Sequence, residues 1–285
     1  MSDARSRLAR QRTQEPEPWI GRYSTSRSFD TGAEVSLRCV SGNPSPAPAI
    51  PALEARSLGR RFGAVCALAE LDLRIEAGEG FALLGANGAG KTTFLRLAAG
   101  LLVPSTGELR VAGQCPSRHP ERVRRVLGFA METSRLQPAL RVESFLRFAA
   151  AARGMPRAAA RRAVERVVAE TGLGDVLRRA IGHCSRGYQQ RVALAQALIG
   201  EPSVLLVDEP GAGLDPAQRL ELWQLLAGLR GARTLVISTH DLEEARRLAD
   251  RAAVLSQGRL RAQGPVGELL RDPAPLSLFR SGAGA

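Results

Sequence analysis

The chain is almost without lysine. Of its 40 basic residues only Lys91 is a lysine and the rest are arginine; histidine is held to three residues and the aromatics to 4%. A net charge of +12 on 285 residues raises nucleic acid or an anionic membrane surface as partners. The near-exclusive use of arginine weakens that reading, because one basic residue replacing the other throughout a chain reflects codon usage rather than a binding design, and no nucleic-acid partner is expected. Cysteine is sparse too. Cys39, Cys66, Cys115 and Cys184 contain no CxxC pair, too few for a disulfide framework and too scattered for zinc, so reduced thiols in a cytosolic protein are expected. No apolar run approaches the roughly 18 residues of a membrane span, and the N-terminus has no apolar stretch of the kind a secretory signal needs. If the protein works at a membrane, another chain supplies the membrane part.

Residues 1–50 read as a disordered tail rich in proline and arginine. The stretch Ser41-Gly42-Asn43-Pro44-Ser45-Pro46-Ala47-Pro48 offers neither helix nor strand. Order is expected over 51–265, with 266–285 a short C-terminal tail. Leu71, Leu73 and Ile75 alternate with Asp72, Arg74 and Glu76, the pattern of a half-buried strand. Phe81–Leu84, Val204–Val207 and Leu235–Ile237 are instead apolar at every position, which suits strands of a parallel sheet covered on both faces. Helical spacing follows in 92–102, with Phe94, Leu97, Ala98 and Leu101 on one face, and in 217–230, with Leu222, Leu225, Leu226 and Leu229. Strand alternating with helix predicts a doubly wound α/β fold. The middle, about 132–194, differs: Val164, Val167, Val168 and Thr171 share a helical face opposite Arg161, Arg162 and Glu165, and no strong strand appears, so a mainly helical insertion is predicted there.

The sequence Gly85-Ala86-Asn87-Gly88-Ala89-Gly90-Lys91-Thr92, followed by Thr93, fits GxxxxGK[ST]. It stands between a predicted buried strand and a predicted amphipathic helix, the context this phosphate-binding loop requires. Glycines let backbone N–H groups curl round an anion, and the helix start adds its positive dipole end. Lys91 supplies a compact cation for β- and γ-phosphates, which a planar guanidinium cannot replace in a tight loop, and the Thr92 hydroxyl is a ligand for Mg²⁺. Val204-Leu205-Leu206-Val207 then runs into Asp208-Glu209-Pro210. Asp208 is placed to serve the metal, and Glu209 to polarise an attacking water. The binding of ATP with Mg²⁺ is therefore expected.

Cys184-Ser185-Arg186-Gly187-Tyr188-Gln189-Gln190-Arg191, ahead of a helix-like Val192–Leu198, resembles the signature motif of the ATP-binding subunits of ABC transporters. Gly213-Leu214-Asp215-Pro216 looks like that family's D-loop, Ser238-Thr239-His240 like its switch histidine, and Phe62 stands where the family has an aromatic residue stacking on adenine. The resemblance spans about 53–265, with the motifs in the family's order. Two departures stand out. The family signature is commonly Leu-Ser-Gly-Gly-Gln, whereas this chain has a basic third residue and a tyrosine fifth, as in drug- and antibiotic-exporter cassettes. The Q-loop position, a candidate metal contact, falls on Glu132.

The resemblance implies a P-loop core with a mainly parallel sheet, an antiparallel strand subdomain and an inserted helical subdomain. It implies two such subunits, a homodimer by expectation, joined head to tail with ATP between the P-loop of one and Ser185 and Gly187 of the other, and Asp215 close by. Glu209 would be the general base, with His240 holding the γ-phosphate. The partner would be an integral membrane permease, and the site of work the cytoplasmic face of the cell membrane. The runner-up is a soluble ATPase of the same type acting on ribosomes or DNA. Ribosome-acting relatives carry two cassettes in one chain and DNA-repair relatives a long coiled coil, and neither is visible here. A non-hydrolysing regulatory cassette would lack Glu209 or His240.

Overall fold

The alternation around Leu73 is realised as a strand with one wet face. β1 (Leu53–Phe62) and β2 (Val65–Ile75) form an antiparallel hairpin, with Leu71, Leu73 and Ile75 buried and Asp72, Arg74 and Glu76 exposed. The structure, a computed structural model, describes residues 50–131 and 136–271, all within the compact unit Pro46–Ala285; apart from Ile50, the tail expected over 1–50 lies outside the described residues.

β3 (Gly80–Leu84) is buried along its whole length and leads through the glycine-rich loop into α1 (Lys91–Ala98). β4 (Thr106–Val111) returns to pair with β1, which completes a three-stranded antiparallel sheet in the order β2-β1-β4. α2 (Pro120–Val126) and β5 (Leu127–Ala130) follow. Beyond them come α3 (Val142–Ala152), α4 (Arg157–Thr171), two single turns of 3₁₀ helix and α5 (Arg186–Leu198). The remainder alternates: β6 (Val204–Asp208), α6 (Pro216–Gly228), β7 (Thr234–Thr239), α7 (Leu242–Leu248), β8 (Arg251–Ser256), β9 (Arg259–Pro265) and α8 (Val266–Leu269). The second sheet has the order β5-β6-β7-β3-β8-β9, parallel except where β9 pairs with β8.

Strand alternation explains why the three apolar runs needed no polar face. Phe81 and Leu83 enter a core shared with the antiparallel sheet and α1, where Leu53, Leu71, Phe94 and Leu97 also lie. Ala82 and Leu84 enter the opposite core, built from the helices and including Val192, Leu198, Leu222 and Leu226. Val204 and Leu206 divide from Leu205 and Val207 in the same way. Each fully buried large side chain stabilises the fold by about 1.5–3 kcal/mol. Truncating Phe94, fully buried on α1 in the first of these cores, should cost about 3–5 kcal/mol.

Two expectations need correction. The helix expected over 92–102 ends at Ala98, and Leu101, expected on its buried face, is 59% exposed. Gly100 at φ 70° turns the chain, its N–H bonding Leu97 O (3.0 Å) while Leu101 N–H bonds Arg96 O (2.9 Å). That is a Schellman stop, which helical spacing alone does not reveal. The segment expected as a C-terminal tail, 266–285, opens with packed residues, since Val266, Leu269 and Leu270 are buried in the helical core; 272–285 lie outside the described residues. On α4, Val164, Val167 and Thr171 are buried and Arg161, Arg162 and Glu165 exposed, as the periodicity predicts.

Candidate active site

The parallel sheet delivers β3, β6 and β7 side by side, so the residues after their C-terminal ends meet. This is where open α/β sheets place ligands. After β3 the loop runs through Gly88 at φ 82° and Gly90 at φ 106°. A Cβ on Gly90 would lie 2.7 Å from Ala67 O and from Leu68 Cδ2, so this residue must be glycine for packing as well as conformation. Gly88 faces open space: a Cβ there would have no neighbour within 4 Å. Gly90 is the N-cap of α1 and offers no side-chain cap, and the first turn carries no acid. The first N–H groups and the dipole of α1 are thus left for an anion.

Lys91 is 5% exposed. Its Nζ donates to Gly85 O (2.7 Å) and Ala86 O (3.2 Å) and lies 2.9 Å from Glu209 Oε1. The last contact is an ion pair without hydrogen-bond alignment, and Oε1 is a buried acceptor with no hydrogen bond of its own. The other oxygen, Oε2, is 2.9 Å from His240 Nδ1. Glu209 therefore stands between a fixed cation and an imidazole. Its backbone is in the left-handed region, φ 47°, which costs a non-glycine residue about 1–2 kcal/mol and is held by its surroundings. Asp208 Oδ1 accepts from Thr92 Oγ1 at 3.1 Å.

The expected site residues fall into two groups. The loop residues Gly85 to Thr93, Asp208, Glu209 and His240 form the first. Ser185, Gly187 and Asp215 form the second, at the N-termini of α5 and α6. Ser185 caps α5, its Oγ accepting from Tyr188 N (3.4 Å), and Asp215 caps α6, accepting from Gln218 N (3.0 Å). Gly187 lies against the same Gln218, whose Oε1 would be 2.9 Å from a Cβ at that position. Phe62 stands at the end of β1, 45% exposed, with the Arg60 guanidinium 4.6 Å from its ring centroid. Glu132 lies outside the described residues.

Sequence reasoning missed the support beneath the first group. Ser238, fully buried on β7, donates to Asp208 Oδ1 and accepts from Glu209 N at 3.1 Å, so one hydroxyl aligns both acids. Glu244, on α7 just after His240, is buried and accepts from Trp223 Nε1 at 2.6 Å. Burial pushes its carboxyl up, against hydrogen bonds from Thr239 and Trp223 and together with the charges of Asp241 and Glu209. The hydroxyl of Ser238 directly after the apolar run Leu235–Ile237 was the available signal, since a buried hydroxyl needs partners. Nothing in the sequence marked Glu244 apart from its neighbour Glu243.

An uncapped helix start, a buried ammonium and two acids at the end of the adjacent strand define a P-loop nucleoside triphosphatase. A family profile described as ABC transporter matches residues 68–212. The chain is 34% identical to Nod factor export ATP-binding protein I of Ralstonia nicotianae over 79% of this chain and 71% of that one. It is 40% identical to cobalt import ATP-binding protein CbiO of Rhodobacter capsulatus, covering 80% and 83%. Among solved structures, cbiO1 of Clostridium perfringens, part of the ABC transporter complex cbiONQ, superposes with a TM-score of 0.71 at 28% identity, covering 81% of this chain and 97% of that one. The chain belongs to the ABC transporter family, as one of its ATP-hydrolysing subunits.

Proposed function

We propose that this subunit binds ATP with Mg²⁺ between two copies of itself and hydrolyses it to drive a separate membrane permease, in the direction of export, from the cytoplasmic face of the membrane. The observation that carries the reading is Glu209, held between Lys91 and His240 with one carboxylate oxygen free of hydrogen bonds. Export is supported by the basic third residue and tyrosine fifth residue of the signature segment, and by the likeness to a Nod factor export protein; the likeness to a cobalt import protein points the other way.

The loop N–H groups from Gly88 to Lys91 and the start of α1 would take the β- and γ-phosphates, and Lys91 Nζ would exchange Gly85 O, Ala86 O and Glu209 for phosphate oxygens. Phe62 would stack on adenine, and Ser185 and Gly187 of the second copy would close over the γ-phosphate beside Asp215. The Thr92 and Asp208 oxygens fit a hard cation, and they would hold Mg²⁺, with Glu132 expected to assist. Bound there, the ion neutralises charge on the phosphate oxygens. Glu209 accepts a proton from water as the water oxygen attacks the γ-phosphorus, and the bond to the ADP oxygen breaks. His240 fixes Glu209 through Oε2 and meets the γ-phosphate. Positioning and charge neutralisation supply most of the acceleration in such a reaction.

The permease would dock in an apolar groove beside α3, about 370 Å³, lined by Phe129, Leu136, Phe145 and Phe148 among others. Phe148 is 66% exposed. No helix among the described residues is long and apolar enough to cross a membrane. Reconstitution in vesicles with a candidate multi-span permease tests the reading. ATP-dependent movement out of the cytoplasmic compartment supports it, and the absence of any stimulated ATP hydrolysis overturns it.

A further inference from the structure

The loop between Glu209 and Asp215 is gripped by a residue that the family pattern does not call for. Arg186 occupies the third signature position, where glycine is common, and its Nε donates to Ala212 O at 3.2 Å. Its guanidinium lies against Gly213, where a Cβ would fall 2.7 Å from Nε and from Cζ. Gly213 has φ 68°, so the seat for the guanidinium exists only because that residue is bare. Ala212 N–H in turn donates to Glu209 O at 3.1 Å. Two hydrogen bonds thus connect the signature segment to the backbone of the acid paired with Lys91 and His240.

The same loop is braced from the other side. Arg219, on α6, donates to Leu214 O (3.4 Å) and pairs with Asp241 Oδ2 (3.3 Å). Its Cγ would be 3.3 Å from a Cβ on Gly211, and Glu244 Oε1 2.8 Å. Asp241 follows His240 and caps α7 through Glu243 N and Glu244 N. Arg186 is thus a direct contact from the start of α5 to a loop that α6 and α7 brace from the other side.

We propose that Arg186 is a positioning residue that sets the place of Glu209 through Ala212, so that movement of the signature segment reaches the hydrolytic acid of the same chain. The proposal rests on the reading of Glu209 as general base. It commits Arg186 to its own chain's loop rather than to nucleotide on a second copy, and the two roles separate kinetically. A residue that touches nucleotide changes KM; one that only places the base changes kcat.

The test uses the full-length chain, with ATP hydrolysis and fluorescent ATP-analogue binding measured for wild type, Arg186→Ala, Arg186→Lys, Gly213→Ala and the double variant R186A/G213A. Arg186→Ala is expected to lower kcat about tenfold or more, within the range that a ~1 Å misplacement costs, with KM and analogue affinity unchanged. Arg186→Lys, whose ammonium can still reach Ala212 O, should recover part of the loss. Gly213→Ala should lower kcat through the clash with Arg186 as well as through strain at φ 68°, and the loss in the double variant should be smaller than the sum of the two single losses, the non-additivity expected of one shared contact. A rise in KM with kcat intact would overturn the proposal in favour of nucleotide contact. Equal kcat in wild type and Arg186→Ala, or additive losses in the double variant, would overturn it while leaving the ATPase reading standing. A wild-type chain that binds the analogue yet never hydrolyses ATP would remove Glu209 as base, and this proposal with it.

Discussion

Lys91 and Glu209 are each other's counter-charge: ammonium and carboxylate lie 2.9 Å apart, both almost closed to solvent, on elements far apart in the chain. Two opposite charges buried together depend on one another, since removing one strands the other. Glu209→Gln keeps the shape and the His240 contact but cannot accept a proton. ATP binding should persist while hydrolysis falls about 10²–10⁴-fold, the usual cost of losing a general base. Steady-state ATPase assays alongside nucleotide binding measure both, and near-normal turnover would take the base role from Glu209.

Lys91→Arg should lose nucleotide affinity even though the charge is retained. The ammonium fits between Gly85 O and Ala86 O, and a planar guanidinium does not. Losing a hydrogen bond to a charged group costs about 1.5–3 kcal/mol, or about 10–100-fold in Kd. Titration with a fluorescent ATP analogue reads this directly, and unchanged affinity would end the phosphate-grip assignment.

Two glycines in one loop should fail in different ways. Gly90→Ala meets Ala67 O and Leu68 at φ 106°, and should cost about 2–5 kcal/mol of folding stability from strain and overlap together. Gly88→Ala meets nothing, so its stability loss should stay near the roughly 1–2 kcal/mol of backbone strain, while its methyl enters the space proposed for phosphate and weakens ATP binding. Thermal unfolding and nucleotide titration on both variants decide. Equal behaviour in the two assays would contradict the distinction.

Docking should depend on the groove and on the basic helix beside it. Phe148→Glu places a charge in an apolar contact and should cost about 2 kcal/mol or more of permease binding, with ATP binding intact. On α4, Arg161 is paired with Glu165 at 2.8 Å. Reversing both Arg161 and Arg162 should weaken co-purification further at low salt than at physiological salt, because exposed charges are screened beyond about 8–10 Å. Co-purification indifferent to all three changes would place the permease elsewhere.

Glu244 predicts a dependence of stability on pH. Its folded-state value lies above the ordinary 4.5, because burial outweighs the hydrogen bonds from Thr239 and Trp223, with Asp241 and Glu209 adding to the effect. The folded chain thus holds the proton more tightly than the unfolded one, a contribution fully present below the unfolded value and lost as pH rises through the folded one. Glu244→Gln stays neutral and keeps an acceptor for Trp223. Its melting temperature should therefore gain on wild type as pH rises above about 4.5. Parallel curves from acid to neutral pH would count against this.

The parts of the site that the sequence announced are those whose chemistry is local. The loop from Gly85 to Thr93 needs its residues adjacent, and buried parallel strands need apolar residues on both faces, so both can be read along the chain. Ser238 and Glu244 act across elements, and adjacency carries no trace of that; only the packing of β6 on β7, and of α6 on α7, brings their partners together. Leu101 shows the opposite failure, where a local apolar spacing was real but Gly100 ended the helix before it could matter.

The central position of β3 has a consequence for assembly. It pairs with β7 on one side and β8 on the other, and Gly80 N also bonds Asp250 Oδ2, 170 residues further along the chain. The strand that presents the P-loop therefore has no sheet neighbour until β7, about 150 residues further along, has been made. Contacts of such long separation form late and slowly. On the ribosome, the phosphate loop is translated well before the strands that hold β3, and a chain halted before β7 carries the motif without the site.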